Sequence, residues 1–161
     1  MFNIGDKISY PMYGSGVILS IELKNLLGED KYYYNIEFLN SKLKLSVPVD
    51  NALNLGIRSI ISKDDLQAVF SVLKGDKSFM PDNWNRRYRQ NIELLKSGDI
   101  LDIACVVRNL LLLGEKKSLS NGDRNILNKA VELLSSEIML VSDSSKKDTL
   151  SFINSCVFGD V

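Results

Sequence analysis

The sequence predicts an α+β protein in two parts, a small antiparallel β-barrel followed by an all-α helical bundle. Three observations carry this. The first fifty residues alternate apolar and polar side chains between turn residues, the period of half-buried strands. From residue 56 the apolar residues recur three and four apart, the period of helices. Gly75, Gly98 and Gly114 can stop three of the helical stretches, and Ser62 and Ser120 can open two. The expected domains are residues 1–55 and 56–161.

The strands come first. Lys7-Ile8-Ser9-Tyr10 alternates and is broken by Pro11. Tyr13-Gly14-Ser15-Gly16 reads as a turn, because glycine admits positive φ. Val17, Leu19 and Ile21 then alternate in a strand that runs to Lys24, and Leu27-Gly28-Glu29-Asp30 turns the chain again. Tyr32 to Phe38 is rich in side chains that suit a pleated surface. Asn40-Ser41 can close a hairpin, and Leu43, Leu45 and Val47 share one face of the last strand. Either that strand or Tyr32-Tyr33-Tyr34 could offer an edge for strand addition by a protein partner. Equally, the tyrosines could simply fill the two faces of the sheet.

Ser62 is placed to cap a helix over Lys63 to Lys74, with Leu66, Val69, Phe70 and Leu73 inward and Gly75 as its stop. A polar segment with Pro81 leads to a second helix from about Asn83 to Lys96, stopped near Gly98. The third is expected over Asp99 to Leu113, stopped at Gly114, with Ile100, Ile103, Ala104, Val107, Leu110 and Leu111 on one stripe. Ser120 opens a fourth, with Ile126, Leu127, Ala130, Leu133, Leu134 and Ile138 on its apolar face. A short fifth helix can hold Leu150, Ile153 and Val157.

Composition narrows the function. The 161 residues balance 20 Lys and Arg against 20 Asp and Glu. Such a chain has no bulk attraction for nucleic acid or acidic membranes, so any nucleic-acid contact must come from a local patch. Histidine is absent, which removes the commonest general base and metal ligand, so no catalytic residues, metal site or cofactor are expected. Cys105 and Cys156 lie in apolar helical stretches and read as reduced packing residues. Met1 to Asp6 shows no signal-peptide pattern and no run approaches a bilayer span; a soluble, cytoplasmic monomer is expected.

One local composition stands apart: Asn83-Trp84-Asn85-Arg86-Arg87-Tyr88-Arg89-Gln90-Asn91. It holds the only tryptophan and packs three arginines into four positions. From Trp84 to Lys96, four cations face one anion, Glu93. Guanidinium groups pair with phosphate oxygens, and an exposed indole can stack on or wedge against an unstacked base. The alternative is structural: Trp84, Tyr88, Ile92 and Leu95 have the spacing of a buried stripe. The first 55 residues carry five lysines against six acids and offer no comparable patch.

At these residues the chain resembles the CarD/CdnL family of bacterial transcription regulators. The likeness lies in FNIGDKISYPMYGSGVI from Phe2, VPVDNA from Val47, NWNRRYRQNIELLKSGD from Asn83 and VVRNL from Val106, and runs from Phe2 to about Leu140. The first part also resembles the polymerase-interacting module of transcription-repair coupling factors. The resemblance implies a Tudor-like barrel that docks on the protrusion (β1 lobe) of the RNA polymerase β subunit. It implies a helical domain that contacts promoter DNA at the upstream edge of the −10 region, where a tryptophan wedge hinders collapse of the open complex. Trp84 matches that tryptophan, and Arg86, Arg87 and Arg89 form the expected DNA-binding set. Lys24 and Ser46 match the family's polymerase contacts, with Lys44 beside Ser46; Ser46 departs from the basic residue common there. A protein-only interaction module without DNA contact is the alternative function.

Overall fold

The computed structural model describes residues 1–159. A five-stranded antiparallel sheet is followed by five helices, the α+β arrangement expected. The strands are β1 (Lys7–Tyr10), β2 (Gly14–Leu26), β3 (Glu29–Phe38), β4 (Lys44–Pro48) and β5 (Arg58–Ser59), in the spatial order β4-β3-β2-β1-β5. The edges β4 and β5 do not pair, so the sheet is open where a closed barrel was expected. β5 lies beyond residue 55 and pairs with Ile8 and Ser9 of β1, so the sheet extends past the expected boundary.

The sheet is built around one long hairpin. β2 and β3 turn at Leu27 and Gly28, both at positive φ (53° and 82°), the backbone that matches strand twist in a two-residue turn. A bulge at Leu19, between paired Ile18 and Ser20, reverses the alternation. Beyond it Ser20, Glu22 and Lys24 share a face with Tyr33, Asn35 and Glu37 of β3 and with Lys44 and Ser46 of β4. Tyr34, Ile36, Phe38 and Val47 face the opposite way and form a core with Ile8, Ile18, Ala52 and Ile57. β3 lies inside the sheet, so its tyrosines offer no complete edge; the free edge on this side is β4.

The helices are α1 (Leu66–Lys74), α2 (Trp84–Lys96), α3 (Ile100–Lys116), α4 (Asn121–Ser142) and α5 (Lys146–Phe158). Their core is separate from that of the sheet and contains Leu73, Leu95, Ala104, Val107, Leu110, Ala130, Leu134 and Ile153. Asn83, Asp99, Ser120 and Ser145 accept backbone bonds at the starts of α2 to α5. α1 begins three residues later than expected, because Ser62 and Asp65 bond each other reciprocally in a turn that precedes it. α3 runs through Gly114 to Lys116, since an interior glycine weakens a helix by only about 1 kcal/mol.

One stripe of α4 meets the sheet. Asn40 Nδ2 donates to the Glu132 carbonyl, the Ser15 amide to Ser136 Oγ, Arg58 to the Glu137 carboxylate and Lys7 Nζ to the Leu140 carbonyl. Pro11 also touches the helical unit at Gly98, the α2–α3 turn, where an added Cβ would lie 2.8 Å from the proline ring.

Candidate nucleic-acid interface

The cationic segment forms α2, and its orientation is set by a buried ion pair. Arg87 is 4% exposed. Its Nε and Nη2 donate to the two carboxylate oxygens of Asp123 at 2.9 and 2.8 Å, while Nη1 donates to the carbonyls of Pro81 and Asp82. The expectation that Arg87 binds DNA is thereby corrected: all three guanidinium nitrogens are engaged inside the protein. The paired bonds are the fork geometry that makes an arginine–carboxylate pair strong.

Asp123 serves two structures. Its carboxylate accepts from the Ser120 amide, and its own amide donates to Ser120 Oγ, closing the capping box of α4. Burial pushes its carboxyl upward, but hydrogen bonds from Arg87 and Ser120 outweigh this and hold it below the ordinary carboxylate value. The hydrogen bond to Asp123 raises Arg87 above its ordinary value, against the opposing effect of burial. Asp123 was not among the residues expected from the sequence. The signal was present in Ser120-x-x-Asp123, a capping pattern ahead of an apolar run, but nothing local links it to Arg87.

With Arg87 inward, Asn91 and Leu95 follow at four-residue spacing, and these three are the buried residues of α2. The alternative stripe of Trp84, Tyr88, Ile92 and Leu95 is buried only at Leu95, with Ile92 half-buried against the core. Trp84 is 55% exposed and Tyr88 40%. Tyr88 lies against the α4 start, where an added Cβ at Gly122 would sit 3.4 Å from its ring. Arg86 and Arg89 are exposed, and at three-residue spacing they share the side opposite the buried stripe. Lys96 pairs loosely with Glu93 at 3.7 Å. Among the described residues neither Arg86 nor Arg89 has an acidic partner, so two unneutralised guanidinium groups remain on the exposed side of the helix that begins with Trp84.

The other expected residues gather on the sheet. Lys24 Nζ donates to Ser46 Oγ at 2.7 Å and to Asn35 Oδ1 at 3.3 Å, and lies 5.6 Å from the Tyr33 ring centroid. Asn35 Nδ2 donates to Ser20 Oγ, extending the network across the face. Lys44 lies on the same face and pairs with Glu37 at 3.7 Å. The structure thus brings Lys24, Lys44 and Ser46 together beside the β4 edge, although they come from two strands. Cys105 and Cys156 are both free; Cys156 is buried and Cys105 half-buried. Among the described residues no helix is long and apolar enough to cross a membrane.

A sheet with a polar face beside a free edge is joined to a helical unit that displays an aromatic and cationic helix, an arrangement suited to binding. Known proteins resolve the class. Residues 2–61 match the family described as CarD-like/TRCF RID domain, and residues 68–154 match the one described as CarD, C-terminal domain. A Bacillus subtilis (strain 168) protein, "Putative transcription factor YdeB", is 33% identical over 152 residues, which cover 94% of this chain and 99% of that relative. The chain belongs to the CarD family of transcription factors, and its sheet unit is of the RNA polymerase-interacting type.

Proposed function

We propose that this protein tethers α2 to RNA polymerase so that Trp84 contacts the upstream edge of the promoter bubble and stabilises the open complex. The sheet, a Tudor-like module in this reading, docks on the protrusion (β1 lobe) of the β subunit through the face of Lys24, Lys44 and Ser46 and the adjoining β4 edge. An unpaired edge offers main-chain hydrogen bonds to an added strand, and the side chains beside it select the partner. The helical unit is a second domain that contacts promoter DNA near the −10 region, with Arg58 and Ser59 assigned to the first. The protein acts as a cytoplasmic monomer.

The observation that carries the reading is the exposure of Trp84 at the first turn of a helix whose Arg86 and Arg89 are free to meet phosphate. The contacts are few, and docking compensates by raising the effective concentration of α2 at the DNA. Two guanidinium groups position the helix on phosphate without reading sequence. The indole gains most where bases are already unstacked, so it binds the open state better than the closed one, and only such a difference shifts the equilibrium. A preference of about 1 to 2 kcal/mol changes the open fraction roughly 5- to 30-fold at an unstable promoter.

The test is in vitro transcription at an unstable promoter with the matching polymerase, comparing the wild type with Trp84→Ala. The variant is expected to keep polymerase affinity and shorten open-complex lifetime. Equal lifetimes, with no change in the DNA footprint on adding the wild type, would instead support a protein-only interaction module.

A further inference from the structure

The helix that carries Trp84 is fastened at both ends to α4, and the second fastening also holds the sheet. The first is Arg87 with Asp123, already described. The second centres on Arg58 of β5. Its Nη1 and Nη2 donate to Glu137 Oε2 and Oε1 at 2.8 and 2.9 Å. Its Nη2 and Nε also donate to the Gly98 carbonyl, at 2.8 and 3.2 Å. Gly98 is the turn in which α2 ends, held at φ 72°. Glu137 is 2% exposed, and its Oε2 accepts a further bond from the Ile61 amide, where the chain leaves the sheet. One guanidinium thus ties together an edge strand, the turn that ends α2 and the C-terminal half of α4.

The spacing makes this a brace. Asp123 and Glu137 are fourteen residues apart on one helix, about 21 Å at 1.5 Å per residue. Arg87 and Gly98 are eleven residues apart along α2 and its turn, on the order of 16 Å. Two nearly rigid rods joined at two separated points cannot swing about either one, and the second point also binds the sheet. The Ser15, Asn40 and Lys7 bonds add points along the same α4 stripe, but each is a single bond, and those of Asn40 and Lys7 are exposed to solvent. The Arg58–Glu137 pair is the one side-chain ion pair that crosses between sheet and helices among the described residues. Its carboxylate is almost wholly desolvated, and such a pair resists opening because an unpaired buried charge is strongly disfavoured.

We infer that Arg58 and Glu137 are positioning residues that fix the direction in which Trp84 is presented relative to the polymerase-docking face. This rests on the reading given under Proposed function. A tethered wedge acts only if the tether leaves it where the strands part. A loose joint would leave both contacts chemically intact while lowering the fraction of docked molecules that reach the DNA correctly, and apparent strength falls with that fraction.

The experiment uses the full chain with Glu137→Gln, and with Arg58→Lys. Lysine keeps the charge but cannot make the paired bonds to Glu137 and Gly98 together. Arg58→Lys also serves where Glu137→Gln melts below the assay temperature. Interdomain distances are read by pulsed electron resonance between spin labels at Asn54→Cys and Glu115→Cys, with Cys105 and Cys156 replaced by alanine. Both variants are expected to broaden the distance distribution and to leave polymerase affinity at the wild-type value. They should shorten open-complex lifetime about fivefold or more, the low end of couplings between sites. An unchanged distribution, or a broadened one with an unchanged lifetime, overturns the inference. So does a lifetime that falls only in proportion to lost polymerase affinity, which would mark a purely structural role. If Trp84→Ala matches the wild type, the functional reading fails instead, and the distance distribution alone decides whether the pair orients the two units.

Discussion

Arg87 and Asp123, 36 positions apart, meet through two parallel hydrogen bonds, and their meeting decides which side of α2 faces the solvent. The bonds turn Asn91 and Leu95 inward with Arg87 and leave Arg86 and Arg89 on the opposite side. The most cationic residue triplet of the chain is therefore divided: one member builds the fold and two stay exposed.

Breaking this pair should unfold rather than merely weaken the site. Asp123→Ala strands a buried guanidinium and removes half of the α4 capping box, so a loss of about 3 to 5 kcal/mol is expected. Arg86→Ala, on the exposed side, should stay within about 0.5 kcal/mol of the wild type. Chemical denaturation of both variants, followed by circular dichroism, checks the contrast.

Acid should act on the same pair. The Asp123 carboxyl is lower in the folded state than its ordinary value, because the Arg87 and Ser120 bonds outweigh burial. Its stabilisation is therefore complete above the unfolded carboxylate value of about 3.9 and is lost as pH falls through the lower folded value. Melting temperatures from pH 7 to pH 2 should fall steeply below about pH 4. Because the pair is missing in Asp123→Asn, that variant should show a shallower decline.

Salt dependence should separate the two exposed arginines from the buried one. Each phosphate contact contributes about one unit to the slope of log affinity against log salt. Arg86→Ala and Arg89→Ala should each weaken polymerase-promoter complexes of this protein and reduce that slope by about one. Equal slopes for wild type and both variants would argue against phosphate contact.

Docking should respond to Lys24 and spare the DNA side. Lys24 is half-buried and bonded to Ser46 and Asn35, so Lys24→Glu places an acid among hydrogen-bond acceptors on the proposed polymerase face. Affinity for polymerase, measured by surface plasmon resonance, should drop at least tenfold, equivalent to about 1.4 kcal/mol. The melting temperature of the helical unit should not move.

Much of this architecture was legible in local signals. Asn83, Asp99 and Ser120 announced three helix starts, and each bonds the backbone as its type predicts. The β2–β3 hairpin followed from alternation and from Gly28. The features that escaped depend on distant partners. Spacing alone favoured a stripe of Trp84, Tyr88, Ile92 and Leu95 because it rewards apolar residues, whereas the buried stripe shares only Leu95 with it and begins with an arginine whose carboxylate lies on another helix. β5 contains two residues and has no periodicity to detect. Whether β4 meets β5 depends on how the sheet curls, and the alternation of single strands does not encode that.

The lone tryptophan has a practical consequence. Because the one indole of the chain stands half in solvent at the start of α2, its emission is free of interference from any sibling fluorophore of its kind. Association at that spot can be followed optically in unmodified protein, and silence from that probe would mean that contact occurs elsewhere.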